Sequence, residues 1–132
     1  MTLQRVNGES LPHHLNSDPE FALQAREMTA RIRFVEDGVP VFLMKIVQGR
    51  VTEVDLGVTP FDAFDFQLGG TAEHWERLLV SAPEAFYHDW FPAMFHHGFQ
   101  LEGNFELIMA YYPALVRLRQ LLVDAIEKAE AA

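Results

Sequence analysis

Residues 96–112 read HHGFQLEGNFELIMAYY, and the fold class turns on them. His97-Gly98 predicts a turn, 99–102 a short strand, and Gly103-Asn104 a corner that opens a helix at Phe105. The Asn104 side chain can accept hydrogen bonds from the first free helix amides, and Glu106 falls in the positive first turn. Phe105, Leu107, Ile108, Met109, Ala110, Tyr111 and Tyr112 leave this helix no broad polar face. Such a helix is either buried by protein or walls a lipophilic cavity.

Working upstream, the pattern changes to period two. Met28, Ala30, Ile32 and Phe34 alternate with Thr29, Arg31 and Arg33, the signature of a half-buried strand. Asp37-Gly38 supplies a tight hairpin turn, and 39–47 returns as a strand apolar on both faces, which predicts a central place in the sheet. Gln48-Gly49 turns again into 51–58, where Thr52, Val54, Leu56 and Val58 oppose Glu53 and Asp55. Three strands on short turns make an antiparallel meander. A fourth strand is expected over 64–68, with Phe64, Phe66 and Leu68 joining Phe34 on the inward face, and it ends at Gly69-Gly70.

Helices flank the strands. Residues 1–16 read as an irregular lead-in, and Ser17-Asp18-Pro19-Glu20 starts a short helix running to about Arg26. Thr71 caps another with Trp75, Leu78 and Leu79 on its apolar stripe. Pro83-Glu84 starts a third, its inward set Phe86, Trp90, Met94 and Phe95, with a break expected at Pro92. Pro113 kinks the terminal helix, where Leu115, Leu118, Leu122 and Ile126 form a seam and Arg117, Arg119, Asp124 and Lys128 face solvent. The expected fold is α+β, a mostly antiparallel sheet of about five strands covered on one face by helices.

Composition narrows the function. The chain has 132 residues, a size that fits one domain, and its hydrophobic fraction of 49% with eleven Phe supports a large core. A net charge of −9, with Lys45 and Lys128 the only lysines, argues against a nucleic-acid partner. The absence of cysteine removes disulfides, thiolate nucleophiles and Cys-based zinc sites. The opening residues contain no apolar signal core and no run reaches a membrane span, so the chain reads as cytoplasmic.

Three phrases carry a resemblance: RIRFVEDGVPVFLMKIVQGRV, FDFQLGG running into a helix with a tryptophan, and HHGFQLEGNFELIMAYYPALVRL. Over 28–122 the chain resembles the sterol carrier protein 2-like (SCP-2) lipid-transfer domains. That resemblance implies a hydrophobic cavity between sheet and helices, holding an acyl chain, sterol or other lipid without a cofactor. Two features depart from the animal carriers. Lysines are scarce, which argues against docking on anionic membranes or coenzyme A phosphates, and the chain ends AEAA rather than in a peroxisomal S-K-L signal.

Candidate ligand-lining residues are Phe64, Phe66, Trp75, Phe86, Trp90, Met94, Phe95, Phe99, Phe105, Ile108, Met109 and Tyr112, together with Phe91. Aromatic rings and methionine suit a cavity for varied lipids, and core packing uses the same residues. Tyr112 is a candidate donor to a ligand's polar head, and Pro113 a hinge at one tunnel end. Other classes stay open. His74, His88, His96 and His97 with Glu73, Glu76 or Asp89 offer donors but no recognised metal spacing. Asp55, Asp62 or Asp65 with Tyr111 or Tyr112 could serve an isomerase or hydrolase on a hydrophobic substrate. Ser10, Ser17 and Ser81 lie in no nucleophile motif. The apolar segment 86–95 also suits a homodimer contact or an accessory module of a lipid-metabolising enzyme.

Overall fold

A computed structural model describes residues 2–131. Strands β1 (Ala30–Glu36), β2 (Val39–Val47) and β3 (Arg50–Asp55) form the expected antiparallel meander. Its two turns place Asp37 and Gly38, then Gln48 and Gly49, at positive φ, as short hairpins of this hand require. Strand β4 (Phe66–Gly70) then lies parallel to β1, and β5 (Gln100–Gly103) pairs antiparallel with β4. The sheet is five-stranded and open, in the order β3-β2-β1-β4-β5.

β2 lies inside the sheet, between β3 and β1, and the middle strand is β1. Its polar face is tolerated there because every polar side chain on it finds a partner. Arg31 reaches Asp65, and Arg33 reaches Gln67 and the Pro60 carbonyl. Strand β3 stops short of the predicted Val58, because the Asp55 carboxylate accepts the Gly57 amide at 2.8 Å and folds the chain into a turn.

The lead-in, expected to be irregular, contains helical turns. A 3₁₀ turn (Leu3–Arg5) and helix α1 (Leu11–Asn16) bury Leu3, Val6, Leu11 and Leu15. Asn16 donates to the Val51 carbonyl and accepts its amide, both at 2.9 Å, closing an exposed sheet edge. Buried Glu36 accepts the Leu3 amide at 3.0 Å. Helix α2 (Pro19–Gln24) follows, capped by Asp18.

Helix α3 (Ala72–Leu78) opens with a reciprocal cap in which Thr71 accepts the His74 amide and His74 Nδ1 accepts the Thr71 amide. Helix α4 (Trp90–His97) begins six residues later than the predicted Glu84, leaving 81–89 as a loop. Asp89 is its N-cap, so Pro92 sits in the first turn, where its missing N–H breaks no bond and causes no kink. Gly98 ends α4 at φ 76. Helices α5 (Phe105–Ala110) and α6 (Tyr112–Ala131) are separated at Tyr111, the break that Pro113 predicts.

Helices cover one sheet face around a single core that includes Phe34, Phe42, Phe66, Trp75, Trp90 and Phe99. Leu115, Leu118, Leu122 and Ile126 of α6 all enter it. Arg119, expected in solvent, is also buried. Its Nε and Nη2 donate to the Leu78 and Val80 carbonyls at 2.9 Å each, satisfying acceptors left free where α3 ends. Arg117 is drawn in as well, pairing with Asp18.

A candidate hydrophobic site on the helical cap

Apart from Phe64, the candidate lining residues divide into three groups. Phe66, Trp75, Trp90, Phe99 and Ile108 are fully enclosed. Trp75 Nε1 donates to the Val35 carbonyl at 2.8 Å and Trp90 Nε1 to the Leu115 carbonyl at 2.7 Å. Trp75 meets Phe99 edge-on at 5.0 Å and Trp90 edge-on at 6.0 Å, so these rings fill the space between sheet and helices with each other. Their polar edges are satisfied by protein, and their faces are covered.

The second group is half-buried. Phe91 of α4 stacks on Tyr112 of α6 at 4.5 Å, with Phe95 a further 6.3 Å along, making an aromatic string across the two helices. Met94 lies on the same helix and is also half-buried. The Tyr112 hydroxyl accepts the Phe91 amide at 3.0 Å, and the Asp89 carboxylate stands beside it. Burial, with that carboxylate adding to it, pushes the phenol far above its ordinary pKa. Tyr112 is thus held inside the protein's own network instead of presenting a free hydroxyl. Asp89, which the sequence suggested only as a metal donor, belongs to this network, and its signal was its place as N-cap of a helix beginning Trp-Phe-Pro.

Phe64 departs from the inward set. Strand β4 begins only at Phe66, and the Phe64 ring lies under the Arg33 guanidinium at 3.9 Å. Arg33 projects from the face opposite Phe34, so Phe64 is on the side away from the helices. The cation over the ring supplies the physical reason.

The third group is exposed. Phe95 is 75% accessible, Met109 61%, Phe105 43% and Phe86 41%. Phe105 and Met109 lie one turn apart on α5, immediately before the Tyr112 corner. The apolar run 105–112 is therefore fully buried only at Ile108 and partly at Leu107, Tyr111 and Tyr112, while Phe105, Met109 and Ala110 face solvent. Phe86, at φ 69, stacks on His96 at 3.6 Å; Tyr87 stacks on His97 at 4.0 Å, and His97 Nε2 donates to the Ala85 carbonyl. These contacts pin the 81–89 loop onto the end of α4.

Two surface clefts lie elsewhere. One of about 510 Å³ beside α3 is lined by Glu73, Glu76, Arg77 and Glu84, a charged rim unsuited to a lipid. Another of about 430 Å³ lies between the N-terminal turn and β2, lined by Leu3, Val6, Val39 and Leu56. The carboxylates of the acid–base pairs weighed from sequence are engaged in other contacts. Asp55 and Asp62 accept turn amides, and Asp65 accepts the Arg31 amide and guanidinium. Among the described residues no group of three or more His, Asp or Glu is placed to hold a metal ion, and no helix is long and apolar enough to cross a membrane.

This architecture is that of the sterol carrier protein 2 fold. The chain superimposes on a crystal structure of sterol carrier protein 2 with a TM-score of 0.70 at 12% identity, covering 88% of this chain and 92% of that one. A conserved hypothetical protein from Thermus thermophilus, suggested to be a sterol carrier protein, matches with a TM-score of 0.67 at 14% identity over 92% of this chain and 85% of that one. A ubiquinone synthesis protein, UbiJ-SCP2, matches at 0.53 and 18% identity over 85% and 90%. No protein-family profile matches the chain, and no curated protein matches it by sequence. The resemblance read from the three sequence phrases is thus present as shared fold.

Proposed function

We propose that this protein binds a hydrophobic ligand non-covalently at its α4–α5–α6 cap and carries out no chemistry on it. The observation that carries the reading is the exposure of Phe95, Phe105 and Met109 around the half-buried string of Phe91 and Tyr112. Each exposed side chain recovers roughly 25 cal/mol per Å² of apolar surface when covered. The sterol carrier fold supports a lipid as the occupant.

Because Trp75, Trp90 and Phe99 fill the interior, the ligand lies along the outer cap or parts α4 from the α5–α6 corner. Met94 and Met109 adapt to its shape. An accessory role beside a lipid-metabolising enzyme is a second reading, favoured by the likeness to the ubiquinone synthesis protein. Native mass spectrometry of the freshly purified protein, followed by titration with an NBD-labelled sterol, tests the first. Co-purified lipid or saturable binding supports it; neither, with an NBD-labelled fatty acid also failing to bind, removes it.

A further inference from the structure

The two edges of the sheet are finished differently. At β3 the edge is closed, because Asn16 holds both the carbonyl and the amide of Val51 and α1 packs against the strand. Strand β5 forms the other edge, and among the described residues its backbone from Gln100 to Gly103 makes hydrogen bonds to β4 alone. Its outward amides and carbonyls are an unpaired row, the template on which another strand adds. A side-chain ladder runs out to the same edge. On the face away from the helices, Arg33 Nε donates to Gln67 Oε1 at 2.9 Å, and Gln67 Nε2 donates to Glu102 Oε2 at 3.0 Å. Gln100 lies on that face too, and it is exposed like Glu102. Among the described residues neither Glu102 Oε1 nor the Gln100 amide has a partner.

We infer that this edge joins a second copy of the chain, β5 against β5 across a two-fold axis, so that the two sheets become one. The pleat dictates the register. An axis normal to the sheet makes the two strands antiparallel and keeps both helical layers on the same side. Opposed residues must then share a face, so buried Leu101 cannot stand opposite the outward Gln100 or Glu102. Centring the pair on Glu102 sets two carboxylates directly against each other, which is unfavourable. Centring it on Gln100 places Glu102 opposite Gly98, whose φ of 76 lies outside the strand. Centring it on Leu101 leaves each Gln100 amide opposite the Glu102 carboxylate of the second copy, twice over. The ladder then continues across the axis, from Arg33 through Gln67 and Glu102 to the other copy's Gln100. The edge is thus complementary to itself in a way that an arbitrary extended peptide would not be. This association uses the sheet edge and its outer face, so it stands apart from lipid binding at the cap.

Sedimentation velocity across a range from about 5 to about 500 µM protein tests this, with Gln100→Glu and Gln100→Lys beside the wild type. The wild type is expected to approach twice the 15.1 kDa of the single chain as concentration rises. Gln100→Glu opposes like charges at both symmetric positions and should raise the dimer dissociation constant at least about tenfold, whereas Gln100→Lys opposes unlike charges and should lower it. Gln100 is exposed, so the circular dichroism spectra of both variants should match the wild type. A wild type that stays monomeric throughout overturns the inference. A dimer that the two variants do not shift in opposite directions is held by another surface, and overturns the assignment to β5. Binding of an NBD-labelled sterol, read separately in the same samples, keeps the fate of the lipid reading distinct from either result.

Discussion

Arg117 grips Asp18 with two hydrogen bonds, Nε to Oδ2 at 2.9 Å and Nη2 to Oδ1 at 2.7 Å, across 99 residues of chain. The pair ties the N-cap of α2 to the second turn of α6. It holds the Asp18 carboxyl at about 2, below its ordinary 3.8, chiefly through the guanidinium hydrogen bond. A depressed carboxylate contributes its stability above the unfolded pKa and loses it as pH falls through the folded one. Asp18→Asn keeps a good N-cap residue and removes the charge. Urea unfolding should show a loss of roughly 2 kcal/mol at pH 7, and the gap from wild type should close between about pH 4 and pH 2.

Two glycines at positive φ should respond differently to alanine. At Gly103, φ 112, an added Cβ meets the Asp65 carbonyl oxygen at 2.6 Å and Phe66 Cα at 2.8 Å, both backbone, so the β4–β5 pairing must move. At Gly98, φ 76, nothing lies within 4 Å. Gly98→Ala should cost about 1 kcal/mol, the conformational term alone, and Gly103→Ala more than about 2 kcal/mol. Equal midpoints in denaturant would contradict the packing described at β5.

Trp90 joins α4 to α6 through its bond to the Leu115 carbonyl and its contacts with Trp75 and Phe99. Trp90→Phe removes the donor and leaves unfilled volume in a closed core. The expected cost is roughly 2 to 3 kcal/mol. Thermal unfolding monitored by circular dichroism reads it directly.

Much of this fold was legible because its signals are local. The hairpin turns at Asp37-Gly38 and Gln48-Gly49, the caps at Asp18, Thr71 and Asn104, and the break before Pro113 each depend on residues within a few positions. What escaped depends on distant partners. Arg119 looked like a surface residue until the end of α3 placed two carbonyls against it, and Phe64 looked inward until Arg33 crossed over its ring. The helical turns between Leu3 and Asn16 were missed because their anchors, Glu36 and Val51, lie on strands distant in sequence. At the cap, apolar character was readable but exposure was not. The 105–112 periodicity cannot show which apolar side chains find a neighbour, and only Ile108 among them is closed off completely.

That exposure gives the cap its most direct test. Phe95 and Met109 make little contribution to the core, so Phe95→Ser with Met109→Ser should change unfolding free energy by no more than about 0.5 kcal/mol at each site. The same double variant removes two of the largest exposed apolar surfaces on α4 and α5. Binding of an NBD-labelled sterol should weaken by at least about tenfold if the ligand lies across them. Phe61, still more exposed but in the 56–65 loop, provides the comparison, because Phe61→Ser deletes a similar surface away from the cap. Weakened binding in the cap variant alone locates the ligand there. Unchanged binding in the cap variant, or an equal loss on changing Phe61, would show that the exposed apolar side chains of α4 and α5 are not where the ligand is held.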